Sequence, residues 1–199
     1  MHWTQIVLAA TLTIYLGAFA AILVAVKRSS GASPMGHDGG HRLAALLNKV
    51  ASLILLLTAI SYTLDVRSVD WFGRIPILDG PIAQGLGVMA CTLAGVCIVW
   101  GEVSLGHSFR VALPESQQPL VTHGIYGFIR NPLALSVGLL ALGVLLLAPS
   151  WLALISLSLN VVGYEWKIRI EEAYLRQAHG TVYTAYCART GRYLPRLFK

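Results

Sequence analysis

The sequence predicts an all-α integral membrane protein with five transmembrane helices, the last two paired as a C-terminal helical hairpin, and a cytoplasmic lobe. Composition is the first observation: of 199 residues, 56% are hydrophobic and only 12% are charged, whereas a soluble domain carries about 25% charged residues. Apolar runs are the second, because a helix that crosses a bilayer needs about 20 mostly apolar residues. The whole chain, residues 1–199, is expected to form a single membrane domain.

The apolar runs give the helices in order. The predicted spans are residues 4–26, 43–64, 82–100, 133–148 and 150–165. No Lys or Arg precedes the first run, so it lacks the basic start of a signal peptide and is expected to be retained as a helix. Pro149 separates the last two runs, and because proline is disfavoured inside a helix, a tight hairpin is expected there. The fifth helix is expected to continue beyond the membrane, since no Pro or Gly follows Trp166 until Gly180.

The distribution of the fifteen Lys and Arg residues predicts the orientation. Short cytoplasmic loops are enriched in basic residues, and an N-terminus outside the cell places most of the fifteen on the cytoplasmic side. The basic residues left outside lie in the 65–81 loop, where Asp65, Asp70 and Asp79 balance them. We therefore expect a multi-pass protein of the cell (inner) membrane with a cytoplasmic C-terminus. The excess of Lys and Arg is thus explained by the membrane topology, and no nucleic-acid partner is expected.

Polar and ionisable residues concentrate in two predicted cytoplasmic blocks, residues 101–131 and 166–199. A helical hairpin separates the blocks, and a hairpin returns its two ends to the same membrane face, so the blocks are expected to meet. Together with Glu165 they define the candidate site region. The residues able to do polar chemistry there are Glu102, His107, Arg110, His123, Tyr126, Arg130, Asn131, Glu171, Glu172, Tyr183, Tyr186, Arg189 and Arg192. Tyr183 and Tyr186 are expected to be structural.

Two motifs in these blocks carry a family resemblance. The segment Leu105–Pro132 resembles the LVTxGPYxxxRHPxY segment of isoprenylcysteine carboxyl methyltransferases and phospholipid methyltransferases, a superfamily of integral membrane methyltransferases. The segment Glu171–Pro195 is similar to that superfamily's EExxLxxxFGxxYxxYxxxxxRxLP. The residues in register with the second motif are Glu171, Glu172, Leu175, Gly180, Tyr183, Tyr186, Arg192 and Pro195. The first motif departs at Asn131 and Ala134, where the superfamily has His and Tyr.

The resemblance implies methyl transfer from S-adenosylmethionine, held by the cytoplasmic lobe, to a lipophilic acceptor that enters from the bilayer. Acceptor candidates are a prenylcysteine-like carboxylate, a lipid amine or a hydrophobic thiol, with membrane lipids as surroundings. A carboxylate suits the ammonium or sulfonium of this cofactor, and a guanidinium suits a carboxylate. The expected cofactor-binding residues are Leu120, Val121, His123, Gly124, Tyr126, Arg130, Asn131, Glu171 and Glu172, of which Arg130, Glu171 and Glu172 are also the expected catalytic residues.

Simpler roles are open for the same charged residues. Glu172 could pair with Arg169 and Arg176 on an exposed helix face, and Glu171 could pair with Lys167 in the same way. Arg130 could instead reach lipid phosphates with its long side chain. His37 and His41 flank Asp38, but Gly39 and Gly40 make a shared helix face improbable, so no metal site is expected.

Two other functions are compatible with the sequence. An NADPH-dependent membrane reductase on a related scaffold would need cations for the 2′-phosphate, and Arg189, Arg192 and Arg196 could supply them. A membrane binding protein without catalysis is the other alternative, supported by Asn131 and Ala134. The sequence carries no signal for an oligomeric state.

Overall fold

The computed structural model describes residues 2–30, 42–105 and 120–196, and within these ranges the chain is helical, with no named strand. The α-helices, in chain order, are α1 (Trp3–Ser30), α2 (Arg42–Leu64), α3 (Ser68–Trp71), α4 (Pro81–Leu105), α5 (Pro132–Leu147) and α6 (Trp151–Arg189). Short 3₁₀ turns lie at Pro76–Leu78 and Gly124–Gly127. His37, His41, His107 and Arg110, considered above as candidates, lie outside the described residues.

Three helices are long and apolar enough to cross a membrane: the Trp3–Ala21 part of α1, α2 and α4. The all-α membrane fold is therefore confirmed. Helix α4 continues to Leu105, beyond the end predicted at residue 100, because one carboxylate at Glu102 does not break a helix. Helix α5 is also apolar but has only 16 residues, fewer than a full span requires.

The predicted C-terminal hairpin is confirmed, with α5 and α6 packed together. The chain turns at Ala148–Ser150, and the Ser150 hydroxyl accepts a hydrogen bond from the Ala153 amide at 3.3 Å, which caps the start of α6. The amide of Ile75 donates to the Pro149 carbonyl at 2.9 Å, tying this turn to the segment after α2.

Helix α6 continues well past the predicted fifth span, as expected, and is 39 residues long. Its regular geometry is interrupted at Gly180, where φ is 51° and ψ is −122°. Glycine adopts positive φ at little cost because it has no Cβ atom. The chain beyond Gly180 turns back along the middle of α6, where Arg192 and Tyr193 contact Glu165.

The helix ends divide into two groups. At one end of the bundle, the hydroxyls of Thr4 and Tyr62 lie 2.6 Å apart, which joins the start of α1 to the end of α2. The α5–α6 turn lies at this end too. The end of α4, the start of α5 and the charged part of α6 lie at the other end, hereafter the site end. This division agrees with the predicted alternation of spans, while the direction of insertion stays a prediction.

Small residues allow α4 and α5 to pack closely. A Cβ atom on Gly143 would lie 2.5 Å from the Cys91 sulfur, and one on Gly101 would lie 2.8 Å from Leu133 Cδ2. Close backbone approach at small residues is a common way for membrane helices to associate. The tight α4–α5 contact fixes the end of α4 against the start of α5, where the two polar blocks lie.

Candidate active site

The two polar blocks meet, as the hairpin predicted, through backbone hydrogen bonds. The amide of Arg130 donates to the Gly191 carbonyl at 2.9 Å, and the Gly191 amide donates to the Phe128 carbonyl at 3.1 Å. A Cβ atom on Gly191 would lie 1.6 Å from the Leu194 carbonyl oxygen, so no other residue fits this backbone. The segment after α6 is thereby held beside the segment before α5.

Two tyrosines of α6 strengthen this junction. Tyr183 and Tyr186 are 1% and 3% exposed, in agreement with the structural role expected for both. The Tyr186 hydroxyl donates to the Tyr126 carbonyl at 2.7 Å, and burial raises the pKa of Tyr186 to about 12. The phenol therefore stays protonated and keeps its hydrogen bond at physiological pH.

Glu172 is the centre of an arginine network. Its side chain is almost fully buried, and it contacts Arg192 at 2.7 Å, Arg130 at 3.3 Å and Arg176 at 3.4 Å. Burial alone would raise the pKa of Glu172, but the guanidinium groups of Arg192 and Arg130 outweigh burial and lower it. The carboxylate is therefore charged at neutral pH, and arginines already surround it.

A second glutamate extends the network. Glu165 binds Arg192 at 2.9 Å, binds Arg169 at 2.8 Å and accepts a hydrogen bond from the Tyr193 hydroxyl at 2.8 Å. Of the two local pairs considered for Glu172, the contact with Arg176 therefore forms, while Arg169 binds Glu165 instead. Sequence reasoning placed Arg192 in the candidate region but not in this central position.

Arg130 points into the protein. Its side chain is 12% exposed, and besides Glu172 it donates to the backbone carbonyls of Cys187 and Thr190. These contacts differ from those of a headgroup anchor, which would extend its guanidinium toward the bilayer surface. Arg130 and Glu172, both predicted to bind the cofactor, thus lie close together. Their charges, however, bind each other.

Of the neighbouring glutamates Glu171 and Glu172, Glu171 is the accessible one. Its side chain is 35% exposed, and it contacts Lys167 at 3.5 Å, the local pair that the sequence suggested. Burial raises the pKa of Tyr126, so this phenol too is protonated at neutral pH.

The remaining predicted cofactor-binding residues lie along one segment beside α4. Leu120 and Val121 are half-buried, while His123 and Gly124 are exposed. Gly124 has a φ of 59°, and a Cβ atom there would lie 2.1 Å from the Ser104 hydroxyl oxygen. The side chain of Asn131 donates to the Arg192 carbonyl at 3.4 Å, so it helps to join the blocks.

Glu102 was considered among the polar residues but was not assigned to the site. It is 4% exposed and lies in the last turn of α4, and its Oε1 atom is buried without a hydrogen-bond partner among the described residues. Two residues later, the Ser104 hydroxyl accepts a hydrogen bond from the Ile125 amide at 3.3 Å, which ties this turn to the predicted cofactor segment. The sequence signal that could have identified Glu102 is an ionisable residue directly after an apolar span.

An apolar groove runs between α1 and α4 on the outer surface of the bundle. It encloses about 860 Å³ and is lined mainly by aliphatic side chains, with Trp100 and Val103 at its site end. The Trp100 ring lies 6.3 Å from the Phe128 ring, in the segment that follows Gly124. The groove therefore extends along most of α4, from Val88 to the turn beside the polar blocks.

Comparison with known proteins gives one family match. The family model described as phospholipid methyltransferase matches residues 82–182, which is half of the chain. The matched region begins in α4 and ends in α6, so it includes the hairpin, all of the first polar block and the first half of the second, up to residue 182. No curated protein matches the chain.

Proposed function

Because the chain belongs to the phospholipid methyltransferase family, we propose that it transfers a methyl group from S-adenosylmethionine to a lipophilic acceptor. The observation that carries this proposal is the family match itself, which covers the first polar block, the hairpin and the part of the second block up to residue 182. Following the positive-inside rule, we propose that the site end faces the cytoplasm. S-adenosylmethionine would then be available on the side where the polar blocks lie.

The charges at the site end fit this cofactor. S-adenosylmethionine carries a sulfonium and an ammonium, which need nearby negative charge or acceptor groups. One carboxylate at the site end lies outside the arginine network and is accessible: Glu171, whose side chain is partly exposed. We propose that Glu171 binds the cofactor's ammonium, with the 120–124 segment beside it.

Arg130 and Glu172 have a positioning role in this proposal. Their contacts hold the end of α6 against the segment before α5, so they keep Glu171, Tyr126 and the 120–124 segment in one place. When bound, the cofactor supplies an electrophilic methyl group. The chain's own residues then orient the acceptor toward it and exclude water, and positioning of this kind accounts for much of the rate of a displacement reaction.

The groove between α1 and α4 suits the apolar part of the acceptor. Its volume of about 860 Å³ and its aliphatic lining match a hydrocarbon chain lying alongside the helices. We propose that the acceptor enters from the bilayer through this groove. Its reactive group would then lie near the last turn of α4, beside Gly124.

The reductase alternative has no specific support in the structure. Arg192, one of the three arginines available for a 2′-phosphate, is bound by Glu165 and Glu172. Arg196 donates to the Ala188 carbonyl at 2.7 Å. The family match, in contrast, points to methyl transfer.

Cofactor binding by the purified protein in lipid nanodiscs tests the proposed function. We expect calorimetry to detect S-adenosylmethionine binding that is weakened about tenfold or more in Glu171→Gln, because a charge-assisted contact is lost. The matched control is Asp70→Asn, which removes a carboxylate at the opposite end, where Asp70 pairs with Arg74. A folded protein that binds NADPH but not S-adenosylmethionine contradicts the proposal.

A further inference from the structure

Glu102 differs from the other glutamates at the site end. Glu165, Glu171 and Glu172 each form an ion pair, whereas no ion pair involves Glu102 among residues 2–30, 42–105 and 120–196. Its Oε1 atom is buried without a hydrogen-bond partner from the same residues. A buried carboxyl group without partners is unfavourable, and inside a membrane domain such residues commonly serve function.

The surroundings of Glu102 come from α5 and the predicted cofactor segment. Its own helix α4 packs on α5, and Gly101 next to it allows the close approach of Leu133. At the same turn of α4, the Ser104 hydroxyl accepts a hydrogen bond from the Ile125 amide at 3.3 Å. The Tyr15 hydroxyl of α1 lies 3.0 Å from that of Ser136 in the first part of α5. The last turn of α4 therefore lies beside α5 and the predicted cofactor segment, and α1 contacts the same part of α5.

We propose that Glu102 is the general base of the reaction and that the acceptor is a nucleophile with a proton to lose, an amine or a thiol. This inference depends on the proposed methyl transfer. The nucleophile's lone pair forms the bond to the methyl carbon, and the carbon–sulfur bond of the sulfonium breaks with its electron pair moving to sulfur. The proton leaves the nitrogen or sulfur of the acceptor for Glu102 Oε1, which becomes a neutral carboxylic acid.

A general base at Glu102 is useful to only some acceptors. A carboxylate acceptor has no proton to give at neutral pH, so Glu102 would have no part in its methylation. A neutral amine or a thiol, in contrast, has both a lone pair for the methyl carbon and a proton for the Glu102 carboxylate. The proposed role of Glu102 therefore fits a lipid amine or a hydrophobic thiol rather than a prenylcysteine-like carboxylate.

The position of the groove agrees with this role. Trp100 and Val103 line its site end, and both are within two residues of Glu102 on α4. A hydrocarbon chain lying in the groove would bring its polar end to this turn of the helix.

The test compares wild type, Glu102→Gln, Glu102→Asp and the control Asp70→Asn in nanodiscs. Each is assayed for S-adenosylmethionine affinity, unfolding temperature and methyl transfer to phosphatidylethanolamine, a long-chain alkanethiol and a farnesylcysteine derivative. We expect wild type to methylate the amine or the thiol, and the product tells the two apart. In Glu102→Gln, kcat is expected to fall about 100-fold or more, as is typical when a general base is removed. Cofactor affinity and unfolding temperature are expected to remain at least as high as in wild type, and Glu102→Asp is expected to recover part of kcat.

Five outcomes overturn the role of Glu102. Three concern the Glu102→Gln variant: a kcat within about threefold of wild type, a matching loss of cofactor affinity, and a lower unfolding temperature that accounts for the lost activity. Two concern wild type: transfer only to the carboxylate acceptor, and transfer to none of the three acceptors by a protein that binds the cofactor. Failure of wild type to bind S-adenosylmethionine contradicts the proposed function instead, so the two failures are distinguishable.

Discussion

Glu172 and Glu102 are both almost fully buried at the site end, yet their surroundings are opposite. Three arginines contact Glu172, whereas no charged group among the described residues pairs with Glu102. Burial of a carboxylate is compensated at the first position and not at the second. Burial alone therefore does not identify a functional carboxylate, because a fully paired one is well suited to holding the structure together.

The largest effect on stability is expected from removing the charge of Glu172, which arginines balance. Glu172→Gln leaves Arg130 and Arg192 without their shared carboxylate, and loss of one partner of a buried ion pair costs about 3 kcal/mol. We expect a lower unfolding temperature and faster proteolysis after Gly180, together with loss of cofactor binding. Double substitution with Arg130→Gln is the control, because it removes both charges of one pair. If the loss of stability in the double variant equals the sum of the losses in the two single variants, Glu172 and Arg130 are not directly coupled.

Acid should weaken the same contacts without any substitution. The arginines lower the pKa of Glu172 below its usual value of 4.5, so its contribution to stability is full above that value and is lost as the pH falls through the lowered pKa. Thermal unfolding measured between about pH 7 and pH 3 should show this loss in wild type. Glu172→Gln should show a smaller decline over that range, and parallel curves for the two proteins contradict the assignment.

Gly191 tests the backbone junction that brings the blocks together. Gly191→Ala places a Cβ atom within 1.6 Å of the Leu194 carbonyl oxygen unless the backbone moves. We expect a loss of about 1–3 kcal/mol, typical of overpacking, and weaker cofactor binding. Gly17→Ala is the matched control, because a Cβ atom there has no neighbour within 4 Å. Equal stability of the two variants would show that the junction tolerates displacement.

The smallest effect is expected at the tyrosine that links the blocks. Tyr186→Phe removes the hydrogen bond to the Tyr126 carbonyl at 2.7 Å while keeping the ring. The expected loss is about 1 kcal/mol, the usual contribution of one such bond, and denaturant unfolding would measure it. A loss of several kcal/mol would mean that the hydroxyl supports more than this contact.

Much of the fold could be predicted from the sequence because apolar runs and proline position are local signals. The α5–α6 turn at Pro149 and the continuation of α6 to Gly180 followed from composition alone. The hairpin also predicted that the two blocks would meet. These inferences needed no knowledge of side-chain partners, since helix length and chain reversal determine them.

The partners of the buried glutamates could not be predicted in the same way. Arg192 reaches Glu172 because the chain turns back after Gly180, and no local pattern gives the angle of that turn. The predicted span ended at residue 100, which left Glu102 in a polar block rather than in a helix. Because α4 runs to Leu105, Glu102 is held inside the protein, where it lacks a partner among the described residues.

The most direct test of the contrast is S-adenosylmethionine binding to wild type, Glu102→Gln and Glu172→Gln, measured in nanodiscs alongside their unfolding temperatures. We expect Glu102→Gln to bind the cofactor as tightly as wild type and to be at least as stable, since it replaces a buried carboxyl group that has no partner by an uncharged amide of the same size. Glu172→Gln should lose both stability and binding, because its arginines hold the blocks together. Equal effects of the two substitutions on stability and binding would contradict the distinction between the two glutamates.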